Sequence, residues 1–431
     1  TQTPDVQVET QTGPNLEFGS IVQLTDFTDG NKREYATISG NGEKIIYKAH
    51  IKNVPDDGYG KWTIWVTDTT GSKQETKIFQ EVNQGSQYKI GSIGNNPVLD
   101  YNADYAYFAV EKRADSKSGW PDEVDMARLK LSDNSFTPID LVVSGYPKVD
   151  LSAFYVTSSK IYVIATVWLS TDVDPRDWSD GKAIIRMNLD GSNQETLFVS
   201  TEKGKGKDPY PGTKFFVDET NGKLYYGGYE GNFVLDMNSK QASKLPENVQ
   251  DATMYAVDNG KLILFKSYDI YAYDPITGVL SEIIDTGHMQ PNGIKNGILY
   301  FSCYNGVTYY SCNGAFRVTD LNGNQKKIIE KDTPEAEKMM TWEIQYSGFS
   351  GSHISDDGKK VILVNHWDSG TKNYYVLNLV GDTGSSHQQA PIVQTPDVQV
   401  ETQTGLNLEF GSLVQLTDFT DGNKREYATI S

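Results

Sequence analysis

One hairpin recurs seven times along this 431-residue chain. Its first arm is a short apolar run: EKIIYKAH, DYAYFAV, SKIYVIATVW, GKLYYGG, GKLILFKS, GILYFSC and KKVILVNHW, in that order. The second arm is an alternating strand that runs into a tight turn. It reads TIWVTDTTGS ending near Asp68, ARLKLSDNS near Leu131, IIRMNLDGSN near Asn188 and FVLDMNSK near Asp236. It continues as IYAYDPITG near Asp274, FRVTDLNGN near Asp320 and YYVLNLVGD near Asn378. The spacing is roughly 40 to 60 residues, the period at which all-β repeats stack as the blades of a β-propeller. Helical periodicity is nearly absent; TPEAEKMM (Thr333–Met340) is the one stretch expected to form a helical turn or two.

Composition narrows the partners. The formal charge of −18 repels phosphate backbones and anionic lipid, so nucleic acid and membrane insertion are not expected. Aromatic residues make up 11%, including 26 Tyr and 7 Trp, which suits a folded, turn-rich chain and not a disordered one. No apolar run is long enough to span a bilayer, and the segment after Thr1 lacks a leader pattern, as expected of a mature fragment. Cys303 and Cys312 flank YNGVTYYS between two strand-like runs. They suit either a disulfide in an oxidising compartment or two reduced thiols, and without nearby His they make an incomplete zinc set.

Two segments carry a resemblance. ISGNGEKIIYKAH (Ile38–His50) and HISDDGKKVILVNHW (His353–Trp367) resemble the S-x-D-G-K-x-I-x-F blade motif of TolB-like, WD40-like (PD40-type) propellers. VQLTDF (Val22–Phe27) is similar to that family's closing strand. The resemblance covers the first and last blades closely and the middle blades by strand pattern. At Gly40-Asn41-Gly42 the sequence departs from the usual S-P-D-G, and the second blade reads DYNADYAYF. It implies an all-β, seven-bladed propeller of four-stranded antiparallel blades. The family hosts many functions, so it implies no particular one.

The opening of the chain also returns at its end. Residues 394–431 repeat residues 2–39, and only Pro14/Leu406 and Ile21/Leu413 differ. We therefore expect one unit of a tandem array: an extension over 1–20, the propeller over 21–380, a Ser/Gln/Pro/Thr-rich linker over 381–411, and the start of the next unit over 412–431. A ring must close or leave strand edges unpaired. Either Ile21–Phe27 or its copy Leu413–Phe419 could supply the last blade's outer strand. The N-terminal copy is the expected one. If the other pairs instead, strands could be exchanged with neighbouring units.

Candidate binding residues cluster where second and third strands join and where blades connect, since those loops share one face. They are Tyr59, Trp62, Trp120, Trp178 and Trp367 from the loops, with Tyr146, Tyr210 and Tyr346 from the connections. Indole faces stack on sugar rings, and the neighbouring Asp and Asn can bond hydroxyls; packing beneath their own loops is the plainer alternative. Asp172, Asp174, Asp177 and Asp180 could hold calcium, although the run lacks an EF-hand's spacing. No catalytic motif surrounds His50, His288, His353, His366 or His387. Were the chain an enzyme, His50, His366, Tyr59, Arg113 and Arg176 would be examined first. The expected function is a non-catalytic binding or adhesion module, secreted or on a bacterial surface, with glycan or a surface protein as partner. A propeller-shaped polysaccharide lyase or hydrolase, and a structural spacer or protein scaffold, are the alternatives.

Overall fold

A computed structural model of the chain describes residues 14–25, 32–50, 62–72, 74–80, 88–90, 97–112, 123–171, 179–201, 210–228, 231–267, 269–285, 293–302, 316–330, 333–335, 342–343, 353–366 and 372–382. The described residues fall in a compact unit spanning 1–386, and the second unit, 387–431, lies outside them.

The first strand, β1 (Leu16–Gln23), belongs to the last blade. Blade 1 follows as β2 (Lys32–Ile38), β3 (Lys44–His50), β4 (Trp62–Asp68) and β5 (Thr76–Gln80). Blade 2 holds β6 (Tyr88–Ile90), β7 (Val98–Leu99), β8 (Tyr105–Lys112), β9 (Glu123–Lys130) and β10 (Phe136–Ile139), with β6 and β7 sharing the innermost position beside β8. Blade 3 is β11 (Lys148–Val156), β12 (Lys160–Trp168), β13 (Gly181–Asn188) and β14 (Glu195–Ser200). Blade 4 is β15 (Pro211–Asp218), β16 (Lys223–Gly228), β17 (Gly231–Asp236) and β18 (Gln241–Lys244). Blade 5 is β19 (Thr253–Asp258), β20 (Lys261–Lys266), β21 (Asp269–Tyr273) and β22 (Leu280–Asp285). Blade 6 is β23 (Gly293–Lys295), β24 (Ile298–Ser302), β25 (Phe316–Asp320) and β26 (Gln325–Ile329). Blade 7 is β27 (Trp342–Glu343), β28 (Lys360–His366), β29 (Lys372–Gly381) and then β1.

Each sequence hairpin is thus the second and third strand of one blade. Both faces of every sheet are covered by neighbouring blades, so these strands have no polar face to show. That is why β12 reads as an almost unbroken apolar run. The core is accordingly divided into seven clusters, one per seam. Val149, Leu151 and Val163 of blade 3 meet Val124 and Met126 of blade 2. Ile164 and Ile184, on the opposite face of the same sheet, meet Phe215 and Tyr226 of blade 4. Innermost strands touch at four seams, β2 on β7, β11 on β15, β15 on β19 and β19 on β23; β9 meets β11 between blades 2 and 3, β26 meets β1 between blades 6 and 7, and β2 meets β28 and β29, which closes the circle.

Closure uses the N-terminal copy. β1 runs antiparallel to β29, with Leu16 opposite Gly381 and Gln23 opposite Tyr375. Leu16 is fully buried against blades 6 and 7, which contributes about 2 kcal/mol. The closing strand therefore begins at Leu16, inside the stretch expected to be linker, and ends before the expected Phe27. Leu24 and Thr25 continue as an anchor instead: the Leu24 amide donates to Tyr374 O (2.8 Å), and the Tyr374 amide donates to Thr25 Oγ1 (2.9 Å). Of the expected helix at Thr333–Met340, only Pro334 and Glu335 are helical among the described residues.

The family motif now has a structural meaning. In blade 7 the Ser355 hydroxyl bonds Asp357 Oδ1 (2.5 Å), which also accepts the Lys359 amide (2.9 Å), and Ser355 Oγ accepts the Lys360 amide (3.0 Å). Blade 1 repeats this with Asn41 in place of Asp357: Ser39 Oγ to Asn41 Oδ1 is 2.7 Å, the Glu43 amide to Asn41 Oδ1 is 3.0 Å, and the Lys44 amide to Ser39 Oγ is 3.1 Å. Gly42 and Gly358 both sit at φ +71°, a left-handed conformation that side chains resist. The departure from S-P-D-G thus keeps the turn, because an amide oxygen accepts where a carboxylate would.

Candidate ligand-binding face

The two ends of the propeller are built differently. At one end, first strands turn into second and third into fourth, through short and self-bonded segments. These turns also clasp one another around the ring. The Asn41 amide donates to Tyr101 O (3.0 Å) and the Asp356 amide to Gly40 O (2.8 Å). Lys360 Nζ reaches Gly42 O and Thr69 Oγ1, both at 2.9 Å. Lys295 pairs with Asp356, whose carbonyl accepts from Asn296 Nδ2 (3.0 Å). The Tyr162 hydroxyl donates to Glu219 Oε1 (3.0 Å) across the seam between blades 3 and 4, and Tyr107 donates to Leu189 O (3.0 Å) across that between blades 2 and 3.

At the other end, second strands lead to third strands. The connections after β3 (51–61), β8 (113–122), β12 (169–180), β24 (303–315) and β28 (367–371) are longer than those after β16 (229–230) and β20 (267–268). Long connections therefore belong to five consecutive blades, 6, 7, 1, 2 and 3, and short ones to blades 4 and 5.

The described part of this rim lies mainly on blade 3. Register places Asp150 opposite Thr166, Thr166 opposite Lys182, and Lys182 opposite Ser200, so one polar row crosses all four strands. Thr166 and Lys182 share a face with Ile164 and Ile184, two places along, which face blade 4, whereas the Asp150 carboxylate on the innermost strand turns to the Val124 amide of blade 2. The Lys182 ammonium donates to Ser152 Oγ and Thr166 Oγ1, both at 2.6 Å, and among the described residues no carboxylate forms an ion pair with it. Loss of water lowers its pKa to about 8, and Asp150 opposes that only in part. Burial raises Asp150 to about 6, offset by the Val124 amide it accepts (3.2 Å) and by Lys148 and Lys182.

Nearest the rim, the Lys148 ammonium lies 5.0 Å from the Trp168 ring centre. Trp168 Nε1 and Ser200 Oγ are buried and have no hydrogen-bond partner. A buried donor left unsatisfied costs about 1–3 kcal/mol, so two on one face of one blade need a reason. The strands of blade 4 at the same rim carry glycine at 212, 227 and 228; Gly227 faces blade 5, where a Cβ would meet Met254 at 3.8 Å. On blade 2, Asp125 is fully buried with both carboxylate oxygens unpartnered. Desolvation, then Glu123 and Asp140, raise it to about 7; the Leu141 amide lies close enough to lower it slightly but makes no bond of good geometry.

Among the rim residues expected from sequence, Trp62 is half-buried at the start of β4 and packs on the core between blades 1 and 2. Tyr146 is half-buried and packs on the core between blades 2 and 3. The Tyr210 hydroxyl bonds Ser179 Oγ (3.0 Å), tying the β14–β15 connection to the β12–β13 loop. Tyr59, Trp120, Trp178, Tyr346 and Trp367 lie outside the described residues, as do Cys303 and Cys312. So do Asp172, Asp174 and Asp177; Asp180 accepts the Leu169 amide (2.7 Å). No group of three or more His, Cys, Asp or Glu among the described residues stands close enough to hold a metal ion. His353 is buried, its Nε2 bonds Ala36 O (2.8 Å), and burial lowers its pKa to about 4, so it is a neutral clasp between blades 7 and 1. Tyr59, Arg113 and Arg176 also lie outside the described residues; His50 and His366 each end a strand at the loop end.

Sequence reading missed Lys148, Asp150, Thr166, Trp168, Lys182 and Ser200. The available signal was polar residues inside apolar strands: Thr166 in KIYVIATVW and Lys182 in GKAIIRMN.

The fold and this face define a seven-bladed β-propeller of four-stranded blades. No family model matches the sequence, and no characterised protein matches it by sequence. Among solved structures, an oligogalacturonate lyase in complex with manganese superposes at TM-score 0.51 with 14% identity, over 86% of this chain and 96% of that one. The oligogalacturonate lyase of Vibrio parahaemolyticus gives TM-score 0.50 and 10% identity, over 85% and 97%. TolB of Acinetobacter baumannii gives 0.37 and 13%, over 68% and 66%. At such identities the likeness is one of fold alone.

Proposed function

We propose that this chain is a carbohydrate-binding propeller whose ligand seats at the loop end, against blade 3. The observation that carries this reading is the polar row Asp150–Thr166–Lys182–Ser200, with the unspent indole and hydroxyl donors of Trp168 and Ser200 beside it. An ammonium, an indole N–H and a hydroxyl together suit a ligand dense in acceptor oxygens, as sugars are, and Asp150 and Asp180 can accept from its hydroxyls. Because two propellers similar in fold act on oligogalacturonate, acidic sugars join neutral glycans as first probes. A role in adhesion at a bacterial surface fits the same chemistry.

Glycan-array binding followed by calorimetry with oligogalacturonate and neutral glucans tests this. K182M and W168F should weaken the best ligand about tenfold or more, as expected when a buried polar contact is lost. K223M, on the turn end, should not change binding. Absence of binding to every glycan, or equal effects of all three variants, would overturn the reading. A second reading, β-elimination on a uronic acid, is favoured by one observation: Lys182, only partly offset by Asp150 and held near pKa 8, is neutral in roughly a tenth of molecules at pH 7 and in half at pH 8, and in that form can accept a proton. It predicts ultraviolet-absorbing unsaturated products that K182M abolishes.

A further inference from the structure

We infer that Ser152, Lys182 and Thr166 form a serine–lysine centre that hydrolyses carboxylic esters at the loop end of blade 3, with Ser152 as nucleophile, Lys182 as base and Thr166 positioning the lysine. Their polar atoms make a closed triangle. Lys182 Nζ lies 2.6 Å from both Ser152 Oγ and Thr166 Oγ1, and the two hydroxyl oxygens lie 2.6 Å apart. A nucleophile within hydrogen-bond reach of a base, with a third group orienting that base, is the arrangement hydroxyl catalysis requires. All three side chains are half-buried, whereas Leu151, Ala153, Ala165, Val167 and Ala183 beside them are buried. The backbone brings Ser152 to this place. It is the extra residue of a bulge in β11, since Leu151 pairs with Ala165 and Ala153 with Ile164. Bulges re-aim side chains and gather beside active sites.

Topology decides between the two hydroxyls. Ser152 stands on β11, which pairs on one edge only among the described strands, while Thr166 stands on β12, paired on both. To take a proton, Lys182 must be neutral. Burial lowers its pKa to about 8 and Asp150 offsets that only in part, so a share of the amine is neutral near that pH. The neutral amine lets the triangle run as one cycle: Ser152 donates to Nζ, Nζ to Thr166 and Thr166 to Ser152. As Ser152 Oγ bonds to the ester carbonyl carbon, its proton passes to Nζ. The bond from that carbon to the alkoxy oxygen then breaks, and the oxygen leaves as an alcohol with the proton from Nζ. Water next attacks the acyl-serine and gives a proton to Nζ; the carboxylic acid departs and Ser152 regains its proton. The sum is ester plus water to acid plus alcohol. The oxyanion formed on the way needs a donor, and Ser200, directly opposite Lys182, has a buried hydroxyl without a partner. That the alcohol is a sugar, with an O-acylated glycan as substrate, rests on the carbohydrate reading above; the centre itself does not.

The test uses the full chain as wild type, S152A, K182M, T166V, T166S and K223M, with rates taken only on protein that unfolds cooperatively. Each is treated with a biotinylated fluorophosphonate, and the labelled peptide is located by mass spectrometry. Turnover is read with p-nitrophenyl acetate and as acetate released from acetylated oligosaccharides. The centre predicts a label on Ser152 that S152A and K182M lose and K223M keeps. Turnover should fall by about a hundredfold or more in S152A and K182M, and by less in T166V, with T166S restoring it. No label on Ser152, or wild-type turnover in S152A, would overturn the inference. Unsaturated sugar products that K182M loses and S152A keeps, with Ser152 unlabelled, would assign Lys182 to elimination and overturn it as well. The two readings fail apart: glycan binding without the label sinks the centre alone, and the label with ester turnover but no glycan bound sinks the carbohydrate reading alone.

Discussion

The turn end and the loop end of this propeller satisfy their polar groups by opposite means. At the turn end the Ser-x-Asx-Gly turns close on their own side chains and then on the next blade, so polar groups there bind each other. At the loop end the chain leaves charged or strongly donating groups short of partners: the Asp125 carboxylate, the Trp168 indole and the Arg317 Nε, with the Ser200 hydroxyl. The unpartnered groups nearer the turn end, Thr67, Thr319 and Tyr225, are single neutral hydroxyls, which are cheaper to leave so. The difference teaches that one end specifies the ring and the other holds unspent binding capacity. Substitutions at the first should therefore change stability, and those at the second should change binding or pH dependence.

The largest effect should come from the β4–β5 connection of blade 1. Glu75 holds Arg33 through bonds of 2.9 to 3.1 Å and also accepts from Tyr47, while the Arg33 side chain is only 2% exposed. E75A takes this carboxylate away from a buried guanidinium, and denaturant unfolding should show a loss of about 3–5 kcal/mol. Ligand affinity of the protein that remains folded should not move. A loss below 1 kcal/mol would mean that this clasp does not hold the ring.

Asp125 should give the next largest effect, with the opposite sign. Its folded pKa of about 7 exceeds the usual carboxylate value, so between roughly pH 4 and 7 the folded state holds a proton that the unfolded state has lost. That contribution is present at acid pH and is lost as pH rises through 7. D125N should therefore stabilise by about 1–3 kcal/mol at pH 8, with the gain shrinking through pH 5 and vanishing only near pH 4. Asp150, at about 6, bends the wild-type profile the same way. His353, lowered to about 4, acts in reverse: its contribution is lost as pH falls from about 6.5 towards 4. Wild-type stability should thus peak in the mildly acidic range. A gain in D125N that is independent of pH would sink the assignment.

At blade 3 the two ends can be set against each other in one side chain. Lys182 has lost most of its water and Asp150 offsets that only in part, so its charge costs stability below pH 8 and ceases to do so as pH rises towards 10. K182M should leave the unfolding midpoint unchanged or about 1–2 °C higher at pH 7 while it weakens ligand binding. A midpoint that falls by several degrees would make Lys182 a structural residue.

What could be read beforehand divides along the same line. All seven inner hairpins are local pairings with turns between them, and period-two runs followed by Asn-Gly or Asp-Gly punctuation reveal them. The closing strand was legible in kind and misplaced in extent: VQLTDF looked more strand-like than LEFGSIVQ, yet Leu16 enters the seam and Leu24 leaves the ladder. The polar row was not legible, because Asp150, Thr166, Lys182 and Ser200 meet only through the register of four strands and a bulge at Ser152.

The smallest expected effect tests why the motif's departure at blade 1 was harmless. If the Asx oxygen is what matters, N41D should unfold within about 0.5 kcal/mol of wild type, because either side chain offers Oδ1 to Ser39 and to the Glu43 amide. N41A should lose about 1 kcal/mol, since both groups then need another acceptor. The reciprocal change in blade 7, D357N, should match N41D, because the Ser355 hydroxyl and the Lys359 amide make the same demands there. A cost of N41D equal to that of N41A would show that the Asn41 amide hydrogens hold the turn, and blade 1 would then close by chemistry of its own. Equal tolerance of all three would instead place the turn's stability in Gly42 and the ladder behind it, leaving the side chains to set only the clasp between blades.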